Sequence, residues 1–299
     1  MRFITLMLLL TVSMQLPAQK TDHSLERQLR ALIEDFHGEI GIFVKDLKNN
    51  RTVDINADSV FPTASIVKIP ILIGIMDKIN KGEFQFHQQM VYTDSLYYSE
   101  GDDLVSELKD SATVELGKII SLMLSFSDNC ASLWLQGLSG GGERINQLLD
   151  SLGYRNTRVN SRTAGRRPIW EIYGWGQTSP REMAGLMEKI INGKIISKEM
   201  SEKMTRLLGR QYWDEEALSQ IPPDVFVASK SGAVDASRNE VLFVNSKNNP
   251  YIFSVFTKNN RDTSWERSNE AWVLTRKISA LLWKHFNPKS GWQPSQKGN

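Results

Sequence analysis

Three short clusters in this chain combine side chains that can carry out acyl transfer. The first is Ser65-Ile66-Val67-Lys68, at the start of an apolar helical run that holds Ile71, Leu72, Ile75 and Met76. Residues i and i+3 share one face of a helix, so the Lys68 amine can reach the Ser65 hydroxyl. A serine hydroxyl is a weak nucleophile until a neighbouring base takes its proton. Lysine can be that base once burial or nearby positive charge lowers its pKa. The helix N-terminus adds unpaired backbone N–H groups, that of Ser65 included, for a developing oxyanion. The second cluster, Ser127-Asp128-Asn129, separates a helical run ending at Phe126 from another beginning near Cys130. The third, Lys230-Ser231-Gly232, follows the β-rich stretch Val225 to Ser229. Taken singly, each also fits a plain structural role: a capping serine beside a surface lysine, a turn with an N-cap, a strand with a glycine bulge. None of the four histidines, His23, His37, His87 and His285, lies near a cluster. A Ser-His-Asp triad therefore has no obvious base, and lysine is the remaining candidate.

The elements that must position these clusters follow from periodicity. Leu25, Leu29, Leu32, Ile33 and Phe36 recur at helical spacing, and the helix stops near Gly38. Ile40, Ile42 and Val44 alternate, Lys48-Asn49-Asn50 turns, and Val53 with Ile55 begins the return strand of a hairpin. From Ser65 to about Leu208 most segments are predicted helical, among them Leu116 to Leu124 and Ile145 to Leu152, the latter ended by Gly153. Strands return at Val225 to Ser229, Val241 to Val244 and Tyr251 to Thr257, and a last helix carries Trp272, Ile278, Leu281, Leu282 and Phe286. This order predicts an α/β protein whose sheet is built from both chain ends with flanking helices, beside an all-α lobe. Residues 19–64 and 210–299 would form the α/β lobe and residues 65–209 the helical one. Clefts between lobes favour ligand sites, and all three clusters fall where the chain passes between them.

Together, and in this order, the clusters resemble the motifs of the serine β-lactamase and penicillin-binding protein superfamily, most closely those of class A β-lactamases. Lys68-Ile69-Pro70-Ile71 continues the nucleophile helix as in many class A sequences, and Leu152-Gly153-Tyr154-Arg155-Asn156-Thr157-Arg158 is similar to the entry to the family's omega loop. Thr178-Ser179-Pro180-Arg181-Glu182-Met183-Ala184 resembles the helix after that loop, and Tyr251 to Asn259 the final sheet strand. The resemblance spans roughly Leu25 to Phe286. It implies a β-lactamase/transpeptidase-like fold and acyl transfer through a covalent intermediate. Ser65 would be acylated, and Lys68 would help take its proton. Ser127 would pass a proton to the departing nitrogen beside the positive charge of Lys230, and Asn129 would bind the substrate's side-chain amide. The N–H groups of Ser65 and Ala233, after Gly232, would form the oxyanion hole. Ser231 and Arg238 would bind the substrate carboxylate, a task that suits arginine's planar donors.

The chain departs from that pattern in the omega loop. The family's deacylating glutamate would fall close to Thr163, in Ser161-Arg162-Thr163-Ala164, where there is no acid. Glu171 is the only acidic residue from Ser151 to Arg181, which makes it the candidate deacylation base. An ion pair with Arg162, Arg166 or Arg167 is the competing expectation. Tyr97 and Tyr98 fall roughly where the family places an aromatic gate over the cleft.

Composition narrows the function classes. The 299 residues, 40% hydrophobic and 23% charged, suffice for a sizeable core. A formal charge of +2 gives no bias towards nucleic acid. One cysteine, Cys130, and four histidines supply neither a disulfide framework nor a Cys/His zinc site, so no metal or cofactor is expected. The apolar run from Phe3 to Leu16, followed by Pro17-Ala18, reads as a signal peptide of residues 1–18 cleaved after Ala18. No later segment is long enough for an anchor, so the mature chain is expected as a monomer in the periplasm or outside the cell. The leading expectation is an exported serine β-lactamase. A DD-peptidase acting on D-Ala-D-Ala peptides, or a related amidase or esterase, is the enzyme alternative, and a penicillin-binding sensor with little or no deacylation is the other.

Overall fold

The computed structural model describes residues 20–98 and 103–294, so the expected signal peptide lies outside the described residues. The first helix, His23–Ile33, starts at Asp22, whose carboxylate accepts the Leu25 N–H at 3.0 Å, and it buries Leu25 and Leu29. It ends before Phe36, short of the predicted span. The hairpin follows as strands Glu39–Asp46 and Arg51–Ile55. The Asp46 carboxylate accepts the N–H groups of Lys48 and Asn49 at 2.8 and 3.1 Å and so sets the turn.

Six strands form the main sheet, in the order Lys20–Thr21, Arg51–Ile55, Glu39–Asp46, Tyr251–Lys258, Ser237–Val244, Val227–Val234. All pairs are antiparallel except the short first one. Strand Tyr251–Lys258 pairs with Glu39–Asp46 and so joins the two chain ends, as the sequence predicts. Strand alternation sends Ile42, Val44, Leu242, Val244, Phe253 and Val255 to one face, under the first helix and the last, Glu270–Phe286. Phe43, Val241, Phe243, Ile252 and Phe256 go to the other face and join the core of the helical block.

That block departs from an all-α lobe in two respects. Strands Phe61–Pro62, Gly176–Thr178 and Arg158–Val159 form a small sheet, and Gln89–Val91 pairs with Thr113–Glu115. These strands are two or three residues long, too short to show a period of two in sequence. Helix Pro180–Ile191 also lies against the main sheet, where the Ser254 hydroxyl donates to the Pro180 carbonyl at 2.8 Å. It serves the sheet as a covering layer, although it lies inside the predicted helical stretch.

One residue of that helix ties down the segment entering the 155–175 loop. The Glu182 carboxylate accepts the N–H groups of Arg155, Asn156 and Thr157 at 2.8, 3.0 and 2.7 Å, and the Thr157 hydroxyl at 2.8 Å. Glu182→Ala leaves these donors without a charged acceptor and is expected to lower unfolding stability by about 2 kcal/mol. Urea titration measures this, and protease cleavage within 155–175 should rise with it.

Candidate active site

The candidate nucleophile, Ser65, sits on a strained turn. Ala64–Val67 is a 3₁₀ turn leading into helix Lys68–Asn80, and Ala64 has φ +45°, a region that L side chains rarely adopt. Thr63 is fixed just before it by a bond from its N–H to the Gly176 carbonyl at 2.9 Å. The helix is buried over almost its whole length, which takes Lys68 out of water entirely.

Lys68 joins the first two clusters. Its amine lies 3.0 Å from the Ser65 hydroxyl, 3.0 Å from the Ser127 hydroxyl and 2.8 Å from Asn129 Oδ1, and it also donates to the Ser127 carbonyl. Burial, reinforced by the Lys230 charge and opposed by Asp103 and Asp128, pushes its pKa well below the usual lysine value. An amine whose charged form is disfavoured and that has a hydroxyl on each side can act as a base for one and a donor to the other.

The second cluster is held by a backbone irregularity. A π-helical turn, Leu122–Phe126, ends in Ser127 at φ +64°, and helix Asn129–Leu138 starts immediately afterwards. Asp128 caps that helix by accepting the Ala131 N–H at 2.7 Å, and its other oxygen accepts the Val105 N–H at 2.9 Å. Asp103 accepts the Asn129 N–H at 2.6 Å, a partner that sequence spacing gave no hint of.

The third cluster lies inside strand Val227–Val234, beyond the predicted end of the β-rich stretch. This is the last strand of the sheet, so one row of its backbone groups has no strand partner, and it passes against the Ser65 turn. A Cβ on Gly232 would stand 2.6 Å from the Thr63 carbonyl oxygen and 2.9 Å from the Ser65 nitrogen. Lys230 is fully buried, donates to the Ser231 carbonyl at 2.9 Å, and has its pKa lowered to about 7 by desolvation, against the pull of Glu240. Glu240 stands opposite Ser231 in the strand register and accepts the Ala217 N–H at 3.0 Å. Burial raises its pKa to about 8.

Two predicted residues are placed differently. Arg238 pairs with Ala233, on the face of the sheet opposite to that of Gly232 and Lys230. Its guanidinium is buried between the Trp265 and Trp272 rings, at 4.5 and 4.7 Å, and donates to the carbonyls of Asp235, Ser237, Thr263 and Ser264. It is not among the cavity-lining residues; Asn239, opposite Gly232, and Arg267 are. Alternation alone does not explain this, since Ser231, Ala233 and Glu240 share the face of Arg238 and do line the cavity; the guanidinium is held away by the two indoles and the four carbonyls. Glu171 lies on helix Arg167–Tyr173 with its side chain 59% exposed, ion-paired to Arg167 at 3.0 Å. It lines the same cavity as Ser65 and Asn129 but hydrogen-bonds to neither of them nor to Lys68. That is the geometry of a surface ion pair, not of a base held against the nucleophile. Thr163, at the place where an acid was expected, packs on Gly142 and donates to the Ser161 carbonyl at 2.9 Å.

A buried Ser-x-x-Lys pair, a second serine on the same amine and an edge strand against the nucleophile, on this sheet-and-helix frame, define a serine hydrolase of the β-lactamase and penicillin-binding protein superfamily. The chain belongs to the beta-lactamase enzyme family, which it matches over residues 24–286. It is 23% identical over 278 residues to beta-lactamase VEB-1 of Pseudomonas aeruginosa, covering 89% of this chain and 91% of that one. Among solved structures, PBP-A superposes with a TM-score of 0.80 at 22% identity over 91% of this chain and 99% of its own. A class A beta-lactamase representative from Bacteroides cellulosilyticus gives 0.76 at 21% identity, over 88% and 97%.

Gly232→Ala drives a methyl group into the Ser65 turn and should lower kcat/KM by about 100-fold while the protein still folds. Steady-state kinetics and a thermal melt separate the two effects. A second prediction concerns Glu240. Between the ordinary carboxyl value of 4.5 and about 8 the folded chain keeps this proton while the unfolded chain releases it. Stability from this group is therefore whole below the unfolded value and lost as pH rises through the folded one. Wild type should lose thermal stability relative to Glu240→Gln between about pH 5 and about pH 8.

Proposed function

We propose that the protein is an exported serine β-lactamase that opens the lactam amide through an ester on Ser65. The observation that carries this reading is the single buried amine of Lys68, within 3.0 Å of both Ser65 and Ser127. Lys68 takes the Ser65 proton as Oγ bonds to the lactam carbonyl carbon. The N–H groups of Ser65 and Ala233 stabilise the oxyanion, donors worth roughly 2.7–4 kcal/mol each in comparable sites. The C–N bond then breaks, and the proton reaches the departing nitrogen through Ser127, beside Lys230. Asn129 holds the acyl-side amide and Ser231 the carboxylate. Water afterwards cleaves the ester and returns a proton to Ser65. Export rests on the apolar N-terminal segment before Gln19. Among the described residues no helix is long and apolar enough to cross a membrane.

One observation favours a second reading. Among the described residues no carboxylate hydrogen-bonds to Ser65, Lys68 or Ser127, so deacylation lacks an acid held at the ester. Slow deacylation is the signature of a penicillin-binding protein or DD-peptidase, and each 1.36 kcal/mol on that barrier slows turnover tenfold.

Intact mass followed over time after mixing the mature protein with nitrocefin, a penicillin and a D-Ala-D-Ala peptide tests both. A β-lactam adduct on wild type that decays with continuing substrate loss, and is absent in Ser65→Ala, is the expected result. A persistent stoichiometric adduct selects the second reading, and no adduct with any β-lactam overturns the first. Glu171→Gln should change the decay rate by no more than about twofold, as befits an exposed ion pair.

A further inference from the structure

Two cavities meet at Ser65. One, of about 760 Å³, runs between Asn129, Tyr98 and the helix Arg167–Tyr173. The other, of about 510 Å³, runs past Ser127 and Ser231 to Trp213, Trp265 and Trp272. Ser127 lines only the second and Asn129 only the first. On the reading of the site proposed above, on which this inference rests, the acyl half of a substrate follows Asn129. The half that bears the nitrogen, which stays tethered to the acyl half when a lactam opens, extends past Ser127 into the second cavity.

We propose that the Trp213, Trp265 and Trp272 end of this cavity is a subsite for a planar aromatic or heteroaromatic group on the nitrogen-bearing half of the substrate. Trp213 is 48% and Trp265 65% exposed, yet both are anchored. The Trp213 indole N–H donates to the Phe126 carbonyl at 2.8 Å, and its ring packs on Tyr212 and Phe126 at 5.0 and 5.7 Å. Trp265 rests on the Arg238 guanidinium at 4.5 Å and meets Trp272 edge-on at 5.8 Å. Exposed indoles fixed in this way offer flat surface whose ordering cost is already met in the free protein.

Charge does not supply a competing selectivity. Glu216 is neutralised by Arg276 at 2.5 Å, and Glu240 keeps its proton at neutral pH. Glu215 and Arg267, both exposed, add one charge of each sign to the wall. The indole surfaces are then the recognition element that this wall offers, and aromatic pairs contribute beyond simple area burial.

The test uses two cephalosporins with the same acyl side chain, one with an aryl substituent on the nitrogen-bearing half and one with a methyl group there. Acylation rate over apparent affinity is measured for wild type, Trp213→Leu and Trp265→Leu. The aryl-to-methyl ratio should fall about 3- to 10-fold in each variant, whatever happens to the methyl compound alone. Because the acyl half is shared, any effect of Trp265 on the first cavity cancels. A ratio unchanged within about twofold overturns the subsite. If no β-lactam acylates Ser65, the proposed function falls, and the subsite is judged on Ser65→Ala protein by tryptophan fluorescence. Saturable quenching by 4-nitrocinnamate that weakens when Trp265→Leu is added upholds it. Absence of saturable quenching, or quenching insensitive to that change, overturns it.

Discussion

The Lys68 amine is buried where three elements converge, and the placement of the other reactive groups follows from how that burial is tolerated. An ammonium ion removed from water costs several kcal/mol unless anions surround it. Its neighbours within hydrogen-bonding distance are neutral: two serine hydroxyls, the Ser127 carbonyl and an asparagine oxygen. Asp103 and Asp128 raise its pKa from farther off, but desolvation and the Lys230 charge outweigh them. The result is an amine whose charged form is disfavoured, which favours giving its lone pair to one hydroxyl and its N–H donors to the other groups. Asp103 and Asp128 meanwhile spend their hydrogen bonds on backbone N–H groups, which fixes the turn that presents Ser127 and Asn129.

Positioning of this order draws on local strain. Ala64 and Ser127 both take left-handed backbone conformations without being glycine, one directly before Ser65 and the other at the proposed proton donor. Such conformations persist only where the surroundings over-determine them. Here the Gly176 carbonyl and the edge strand hold the first, while the capped helix Asn129–Leu138 and the Trp213 bond to Phe126 hold the second. Since Trp213 belongs to the segment leading back to the sheet, the helical block and the sheet both take part in fixing the Ser65–Lys68–Ser127 triangle.

The two half-reactions are unevenly provided for. For the proposed acylation, Lys68 is a fully buried base, while the half-buried Ser65 and Ser127 and the edge strand stand beside it at the cavity. For the proposed deacylation, no carboxylate among the described residues hydrogen-bonds to Ser65, Lys68 or Ser127, and the only acid of the 155–175 segment is largely exposed and held by Arg167. The cavity beyond Ser127 is walled by indoles instead of by the expected arginine, whose guanidinium braces two of those indoles from behind.

The sequence by itself determined much of this protein. The i, i+3 spacing of Ser65 and Lys68, the polar break at Ser127-Asp128-Asn129 and the strand carrying Lys230-Ser231-Gly232 were legible because local periodicity decides which side chains share a face. The hairpin, the flanking helices and a sheet made from both chain ends followed from the same patterns. Tertiary structure decided what local pattern does not encode. That Arg238 does not line the cleft depends on Trp265, Trp272 and the carbonyls of Thr263 and Ser264, which reach its guanidinium from a segment some 25 residues along the chain. The role of Glu171 depends on the path of a loop with no periodicity. The partnership of Asp103 with Asn129, and that of Trp213 with Phe126, link segments whose sequence separation carries no signal. The nucleophile's environment is likewise set by which distant strand packs against it, since desolvation is a property of the assembled core and not of any segment of the chain.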